Sequence, residues 1–235
     1  MSVASEAARR VGRKLRSLSS RGVLGSRSSV VKDEDAYYTQ MFVNNPQWSA
    51  AQPNKDEQAR WAEIERYLRI HAGYANQPLN ILDVGCGRGW LSALMSQYGS
   101  VTGIEPVENV VEHAKTLFPD VQFFACTPNE YLEAHPNQQY DAVVSSEVIE
   151  HVMDKASFLG SLYALIKPGG CLIITTPRGE LRKRWEASYG APPQPVEEWV
   201  NTDELRALLS NSGFSVIDSA TAYVESIYQI HLCIR

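Results

Sequence analysis

From residue 79 onward, the chain alternates short apolar runs with segments of helical periodicity. Six apolar runs occur in order: LNILDVG, SVTGIEP, VQFFAC, YDAVVSSE, CLIITTP and FSVIDSA. A segment predicted to be helical separates each run from the next. Strands that alternate with helices at this spacing are typical of βαβ units and of a mainly parallel sheet. The pattern therefore predicts an α/β fold.

A seventh apolar run, SIYQIHLCI, follows the sixth through a linker too short to hold a helix. Two strands joined so closely pair most easily in antiparallel orientation. We therefore predict a Rossmann-like, doubly wound seven-stranded sheet that is mostly parallel, with an antiparallel last strand. Before the first strand, residues 56–71 have the apolar spacing of a helix, and the aromatic and polar stretch 37–53 is expected to be a loop or a short helix cap.

Basic residues are concentrated at the N-terminus. Residues 1–30 hold seven Arg and Lys side chains and a single acid, Glu6, although the whole chain carries a net charge of −5. We interpret residues 1–35 as a flexible basic arm and residues 36–235 as one domain. A solvated tail is the usual role of such an arm, and binding to RNA or to a membrane surface is the alternative.

The cysteines and the hydropathy indicate a cytoplasmic protein. None of the four cysteines has C-x-x-C spacing, which argues against a zinc site and favours reduced thiols. No apolar stretch has the length of about 20 residues that a membrane-spanning helix needs.

The first apolar run ends in a glycine-rich turn over residues 83–89, DVGCGRG. In doubly wound sheets, ligands bind beyond the carboxyl ends of the strands, and glycines allow the backbone to approach them closely. Trp90 stands where a dinucleotide-binding G-x-G-x-x-G turn has its last glycine, which disfavours a nicotinamide cofactor. Glu105 ends the second run, where a carboxylate can accept hydrogen bonds from both hydroxyls of a ribose.

Five segments occur in order along the chain: ILDVGCGRGW, the Glu105 position, YDAVVSSEVIEHV, LIKPGG and LIITTP. Together they resemble the class I methyltransferases that use S-adenosylmethionine (SAM), over about residues 55–235. The resemblance implies a SAM site in which the glycines line the methionine part and Glu105 holds the ribose. The residues that it implies for this site are Asp83, Gly85, Cys86, Gly87, Gly89, Glu105, Pro106, Thr127, Ser145 and Ser146. Thr127 stands where the family usually has an acid facing adenine N6, so its hydroxyl or a backbone group would have to replace that contact.

Glu147, Glu150 and His151 follow the fourth apolar run as the string E-x-x-E-H. The string resembles that of ubiquinone-pathway O-methyltransferases and small-RNA 2′-O-methyltransferases, in which it helps to bind a divalent metal. The segment 177–199 contains no histidine that could complete such a site. We therefore predict catalytic roles for these three residues, with His151 as a general base. A metal site and a purely structural role are the alternatives.

Two segments are expected to cover the acceptor: the aromatic stretch 37–48 and the insertion 178–200, which is rich in arginine, proline and aromatic residues. A basic and aromatic cover suits an anionic, sugar or aromatic acceptor, and an ordinary surface helix with a proline-rich loop is the alternative. The sequence thus predicts a SAM-dependent methyltransferase that acts on a hydroxyl of a small molecule or glycan. An RNA methyltransferase that uses the basic arm and a SAM-binding protein without activity are the other hypotheses.

Overall fold

The computed structural model describes residues 27–222 and 226–235, so most of the predicted basic arm lies outside the described residues. The first described helix, α1 (Arg27–Phe42), crosses the predicted boundary after residue 35. Within the stretch 37–53, the expectation of a loop is therefore wrong for residues 37–42, which are helical, whereas residues 43–53 are irregular. Tyr38 and Phe42 lie one helical turn apart and stack with 6.1 Å between their ring centroids, which stabilises the end of α1. The division into arm and domain stays a prediction.

The helix α2 (Lys55–Ala75) contains the predicted helix and extends beyond both of its ends. Asn54 caps its N-terminus by accepting hydrogen bonds from the backbone of Asp56 and Glu57. The Glu57 carboxylate accepts in return from the Asn54 backbone at 2.8 Å, which completes a capping box. At the other end, Asn76 adopts a left-handed conformation with φ of 51° and stops the helix.

The remaining elements are β1 (Leu79–Val84), α3 (Trp90–Met95), β2 (Gly99–Glu105), α4 (Glu108–Leu117), β3 (Gln122–Ala125), α5 (Pro128–Ala134), β4 (Tyr140–Ser146), α6 (Lys155–Leu165), β5 (Ile166–Pro177), α7 (Arg182–Tyr189), α8 (Thr202–Asn211), β6 (Ser215–Ala222) and β7 (Tyr228–Ile234). The strands follow in the predicted order with helices between them, except that two helices precede β6 and that β7 follows β6 without a helix. Short 3₁₀ turns cover Ser96–Tyr98, Ile149–His151 and Gly179–Leu181.

The seven strands form one sheet in the order β3-β2-β1-β4-β5-β7-β6. Strands β1 to β5 pair in parallel, whereas β7 pairs in antiparallel orientation with both β5 and β6. The predicted sheet and its antiparallel last strand are confirmed. After β3 the chain returns to the other side of β1, so the strand order reverses between β1 and β4. Ligands of doubly wound sheets bind at such a point, which directs attention to the ends of these two strands.

Alternate residues of each central strand face the two sides of the sheet, and each side has its own core. On one side, Leu82 and Val143 pack with residues of α5, α6 and α8. On the other side, Ile81 and Val144 pack with α2 and α3. Because both faces are covered, the loops at the carboxyl edge of the sheet are left to form a site.

Candidate functional site

The glycine turn connects β1 to α3 at the point where the strand order reverses. Gly85, Gly87 and Gly89 have φ values of 70°, 52° and 84°, a region that residues with a Cβ rarely adopt. A Cβ on Gly85 would lie 2.4 Å from Cγ2 of Val148, in the loop after β4. The glycine therefore allows the two strand-end loops to lie side by side.

Gly89, Ser145 and Cys86, three of the residues predicted for the cofactor site, are packed around this turn. A Cβ on Gly89 would lie 2.6 Å from the Phe123 ring, so this glycine permits close packing behind the turn. Ser145 is fully buried and lines neither of the cavities described below. Burial raises the pKa of the Cys86 thiol well above its usual range, which keeps the thiol protonated and unsuited to act as a nucleophile.

Arg88, within the turn, is fully buried and makes a bidentate ion pair with the capping residue Glu57. Both of its Nη atoms lie 2.7 Å from carboxylate oxygens of Glu57, and its Nε donates to the carbonyl of Ala50 at 2.6 Å. The turn is thus bound to the start of α2 and to the segment before it. No role for Arg88 could be predicted from the sequence, because its partner Glu57 lies 31 residues away.

A cavity of about 360 Å³ opens beside the turn. Its walls include several residues that the sequence analysis singled out: Asp83, Gly85, Cys86, Gly87, Glu105, Pro106, Ser146, Glu147, Glu150 and His151. Among the described residues, nine acidic side chains and two arginines line it, and both arginines are paired with acids, Arg60 with Asp56 and Arg88 with Glu57. A cationic ligand is favoured in this cavity, because it stabilises the ionised forms of the acids.

A second cavity of about 280 Å³ lies on the other side of the loop that follows β4. Gly85, Pro106, Val148 and Val152 belong to the walls of both cavities, so the two spaces adjoin. Thr127 lines this second cavity, where its hydroxyl donates to the carboxylate of Glu130 at 2.8 Å as part of the N-terminal cap of α5.

Two buried carboxylates lie at the ends of β1 and β2. Asp83 accepts a hydrogen bond from the hydroxyl of Ser92 at 2.5 Å, which ties the strand end to α3. Glu105 accepts from the backbone of Gly87 at 3.3 Å and of Val107 at 3.2 Å. Burial raises the pKa of Asp83 and of Glu105 to about 7 each. A cationic ligand or a hydroxyl donor would stabilise their ionised forms.

Glu147 and Glu150 project from the loop that follows β4 and are held by the end of β5. Glu147 has a φ of 61° and accepts from the hydroxyl of Thr175 at 2.8 Å, while Glu150 accepts from Thr176 at 2.8 Å. Burial raises the pKa of Glu147 well above its usual range, with a further contribution from Glu150. Burial and then the neighbouring Glu197 raise the pKa of Glu150 to about 8. Both acids can therefore hold protons at neutral pH.

The imidazole of His151 lies at the rim of the same cavity, and its side chain is 21% exposed. Its Nδ1 lies 2.8 Å from the carbonyl oxygen of Val196. A carbonyl oxygen can only accept, so Nδ1 carries the proton and Nε2 of the neutral ring has a free lone pair. The nearest acid to Nε2 is Glu150, at 3.8 Å. This tautomer is the one that a general base acting through Nε2 requires.

Four of the polar atoms that the fold leaves buried without a hydrogen-bond partner belong to residues of this cavity. They are Oδ1 of Asp56, Nε of Arg60, Oε1 of Gln194 and Oε2 of Glu197. Oδ1 of Asp56 lies 3.4 Å from Nη1 of Arg60, and Oε2 of Glu197 lies 3.4 Å from Nδ1 of His151. Because buried polar atoms of native proteins are usually satisfied, Nε of Arg60 and Oε1 of Gln194 are the atoms available to a bound molecule. Sequence analysis did not single out Gln194 or Glu197, because no local motif marks them within the proline-rich segment.

Both segments that were expected to cover the acceptor reach the cavity. The first contributes Tyr38, Met41, Phe42 and Trp48, and the second contributes Trp185, Pro192, Gln194, Glu197 and Trp199. The expectation of a basic cover is not met, because the charged residue that the insertion places on the cavity wall is an acid, Glu197. The cover is aromatic and acidic.

Residues 54–219 match the model of a protein family described as a methyltransferase domain, and this range is more than half of the chain. The chain belongs to the SAM-dependent methyltransferases. Three predictions are thereby confirmed: the chain is a member of this family, it is an enzyme, and SAM is the cofactor of the family.

Curated relatives of this methyltransferase include O-methyltransferases. A ubiquinone biosynthesis O-methyltransferase of a Ruegeria species is 33% identical over 170 residues, which cover 66% of this chain and 67% of the relative. The mitochondrial ubiquinone biosynthesis O-methyltransferase of the mouse is 34% identical over 168 residues, which cover 62% of this chain and 44% of the relative. The match thus spans less than half of the mouse protein.

Solved structures share the fold. The Burkholderia thailandensis 1,6-didemethyltoxoflavin-N1-methyltransferase, solved with its acceptor and S-adenosylhomocysteine (SAH), has a TM-score of 0.64, 18% identity and coverage of 92% of both chains. Its name describes transfer to nitrogen, so the fold alone does not decide the acceptor atom.

Within 27–222 and 226–235, no group of three or more His, Cys, Asp and Glu side chains is arranged to hold a metal ion. In the same ranges, none of the helices has the length and apolar character to cross a membrane.

Proposed function

We propose that this methyltransferase binds SAM across the two adjoining cavities and transfers its methyl group to a hydroxyl of a small molecule. The observation that carries the proposal is that one cavity contains both the glycine turn and His151 with a free Nε2. A donor on the turn and an acceptor beside the imidazole would then lie within reach of each other.

The donor site follows from the shapes and charges of the two cavities. The second cavity, with Pro106, Thr127 and Val148, offers an enclosed wall for the adenine ring. Glu105 lies next to Pro106, where its carboxylate would accept from the ribose hydroxyls. The acid-lined first cavity then receives the methionine part, whose sulfonium and ammonium groups are cations.

Transfer of the methyl group to oxygen requires removal of one proton from the acceptor. In the reaction the acceptor O–H bond and the S–CH₃ bond break, and an O–CH₃ bond forms. The neutral imidazole of His151 would accept the proton at Nε2, which is the role of a general base. Alignment of oxygen, methyl carbon and sulfur in one cavity supplies much of the remaining rate enhancement.

The acceptor is inferred to be small and partly aromatic. The cavity of about 360 Å³ must hold the methionine part of SAM as well as the acceptor, which leaves no room for a polymer in the enclosed part. Tyr38, Trp185 and Trp199 supply aromatic walls for a flat ring. The relatives at 33% and 34% identity are named O-methyltransferases, which supports oxygen as the acceptor atom.

The donor site is tested by calorimetry with SAH. Glu105→Ala should weaken SAH binding about tenfold or more, because the ribose loses its acceptor, whereas Glu108→Ala on the exposed start of α4 should leave it unchanged. Equal SAH affinity in Glu105→Ala and the wild type would refute the donor site.

The reaction is tested with SAM that carries a labelled methyl group and a panel of small catechols, phenols and polyols. We expect label in an O-methyl product with the wild type, and loss of at least about 100-fold in rate for His151→Gln. Label on nitrogen alone would overturn the assignment of a hydroxyl acceptor.

A further inference from the structure

The segment between α7 and α8 is bound to the loop that carries His151. The backbone N–H of Glu198 donates to the carbonyl of Glu150 at 2.8 Å, and the carbonyl of Val196 accepts from Nδ1 of His151. From α7, Arg182 donates to the carbonyl of Glu197. These contacts hold residues 196–198 against the imidazole from the side opposite Nε2.

The Glu197 side chain in this segment is oriented toward the imidazole. One oxygen, Oε2, lies 3.4 Å from Nδ1 of His151, and the side chain is only 8% exposed. The other oxygen, Oε1, accepts a hydrogen bond from the indole of Trp199, which fixes the carboxylate in place. Oε2 itself has no hydrogen-bond partner, because the Nδ1 proton points to Val196. A buried carboxylate oxygen is thus directed at the ring without any other partner.

We propose that Glu197 is a positioning residue of the methyl transfer, whose carboxylate stabilises the imidazolium formed when His151 removes the acceptor proton. The inference rests on the proposed function. In that step the positive charge leaves the sulfonium, which becomes a neutral thioether, and appears on the imidazole as the proton reaches Nε2. A fixed anion beside Nδ1 favours this redistribution of charge.

Other charged and titratable groups also face the imidazole, but they occupy different positions around the ring. Glu150 approaches Nε2, the nitrogen that must meet the acceptor, and Thr176 already occupies its other oxygen. Tyr38 on α1 meets the ring edge-on, with 6.1 Å between centroids. Glu34 on α1 and Glu105 at the end of β2 act on His151 only through their charges. Glu197 is therefore the acid placed at Nδ1.

The neighbouring Glu198 offers a matched control. Its carboxylate pairs with Lys155 at 3.0 Å on the outside of the same segment, and its side chain is 62% exposed. Glu197→Gln and Glu198→Gln each remove one negative charge from adjacent positions. The amide of Glu197→Gln still offers an oxygen to Trp199, so a purely structural role of Glu197 would be preserved.

The test follows the imidazole of His151 directly by NMR in the SAH-bound protein, with the His151→Gln spectrum assigning its signals among the five histidines. In Glu197→Gln the Nδ1 signal of His151 should differ clearly from that of the wild type, because the anion beside this nitrogen is lost. Glu198→Gln and the charge-preserving Glu197→Asp should both keep the wild-type signal. With a methyl acceptor from the panel, kcat of Glu197→Gln should fall about tenfold while KM stays within about twofold.

Coincident Nδ1 signals in Glu197→Gln and the wild type would overturn the proposal, as would equal shifts in Glu197→Gln and Glu198→Gln. If Glu197→Gln does not fold, Glu197→Ala removes the same charge and repeats the measurement. SAH affinity distinguishes failure of this proposal from failure of the proposed function. A wild type that does not bind SAH would contradict the proposed function, whereas SAH binding with coincident Nδ1 signals contradicts only the role of Glu197.

Discussion

At Gly85, backbone conformation and close packing both exclude a side chain. Its φ is 70°, and a Cβ would lie 2.4 Å from Val148. In a residue with a Cβ, the left-handed conformation alone costs about 1–2 kcal/mol. We expect Gly85→Ala to displace the loop after β4, which borders both cavities, and to weaken SAH binding by roughly tenfold or more in calorimetry.

Gly160→Ala is the matched control for this change, since a Cβ at this exposed position on α6 would meet nothing within 4 Å. It should keep the wild-type SAH affinity and should increase the melting temperature slightly, because alanine is the better helix former. If Gly85→Ala bound SAH as tightly as Gly160→Ala, the two strand-end loops would not form the donor site.

Residue roles could be predicted from the sequence where the chemistry lies within one local motif. Glu105 was singled out because it ends the second apolar run, and His151 because it belongs to the E-x-x-E-H string that follows the fourth. Arg88 and Glu197 were not, because their partners Glu57 and His151 lie 31 and 46 positions away and meet them only through the tertiary fold. Whether the predicted residues bind SAM stays a prediction, which the substitutions above test.

A buried ion pair joins the helix α2 to the glycine turn. Arg88 and Glu57 are 0% and 2% exposed, and their contacts of 2.7 Å join the two segments. Removal of one partner leaves a buried charge without compensation, at a cost of about 3–5 kcal/mol. We therefore expect Arg88→Met to lower the melting temperature by roughly 10 °C, measured by circular dichroism.

The exposed pair of Lys115 and Glu112 on α4 serves as the comparison, with side chains that are 46% and 63% exposed. Lys115→Met should change the free energy of unfolding by less than about 1 kcal/mol. In a double-mutant cycle, Glu57→Gln should recover part of the stability that Arg88→Met loses. Independent effects of the two substitutions would show that the pair does not join α2 to the turn.

The alternation of strands and helices could be predicted because each element carries its own periodicity and its own end signals. The helix α1 shows the limit of this approach. Tyr38, Met41 and Phe42 face the cavity, so the partners that stabilise this helix are distant in sequence. The local aromatic and polar composition indicated a loop there, whereas tertiary contacts stabilise a helix.

At the scale of the whole molecule, buried acids are concentrated around one cavity. Burial raises the pKa of Asp83 and Glu105 to about 7 and that of Glu150 to about 8. A carboxyl group whose pKa is higher in the folded than in the unfolded state stabilises the fold fully below its unfolded value. That stability is lost as the pH rises through the folded value. The protein without ligand should therefore melt at a lower temperature at pH 9 than at pH 6, and Glu150→Gln should reduce this difference.

The same acids make SAM binding a proton-linked event. SAM brings a sulfonium cation and an ammonium cation into a cavity where Asp83 and Glu105 are partly protonated near pH 7, so its binding favours their ionised forms. We expect net proton release on binding at pH 6.5, seen as a dependence of the calorimetric enthalpy on the ionisation enthalpy of the buffer. SAH lacks the sulfonium charge and should release fewer protons, and Glu105→Gln should release fewer with either ligand. Equal enthalpies in all buffers would show that the carboxyl groups of the cavity do not respond to the charge of the donor.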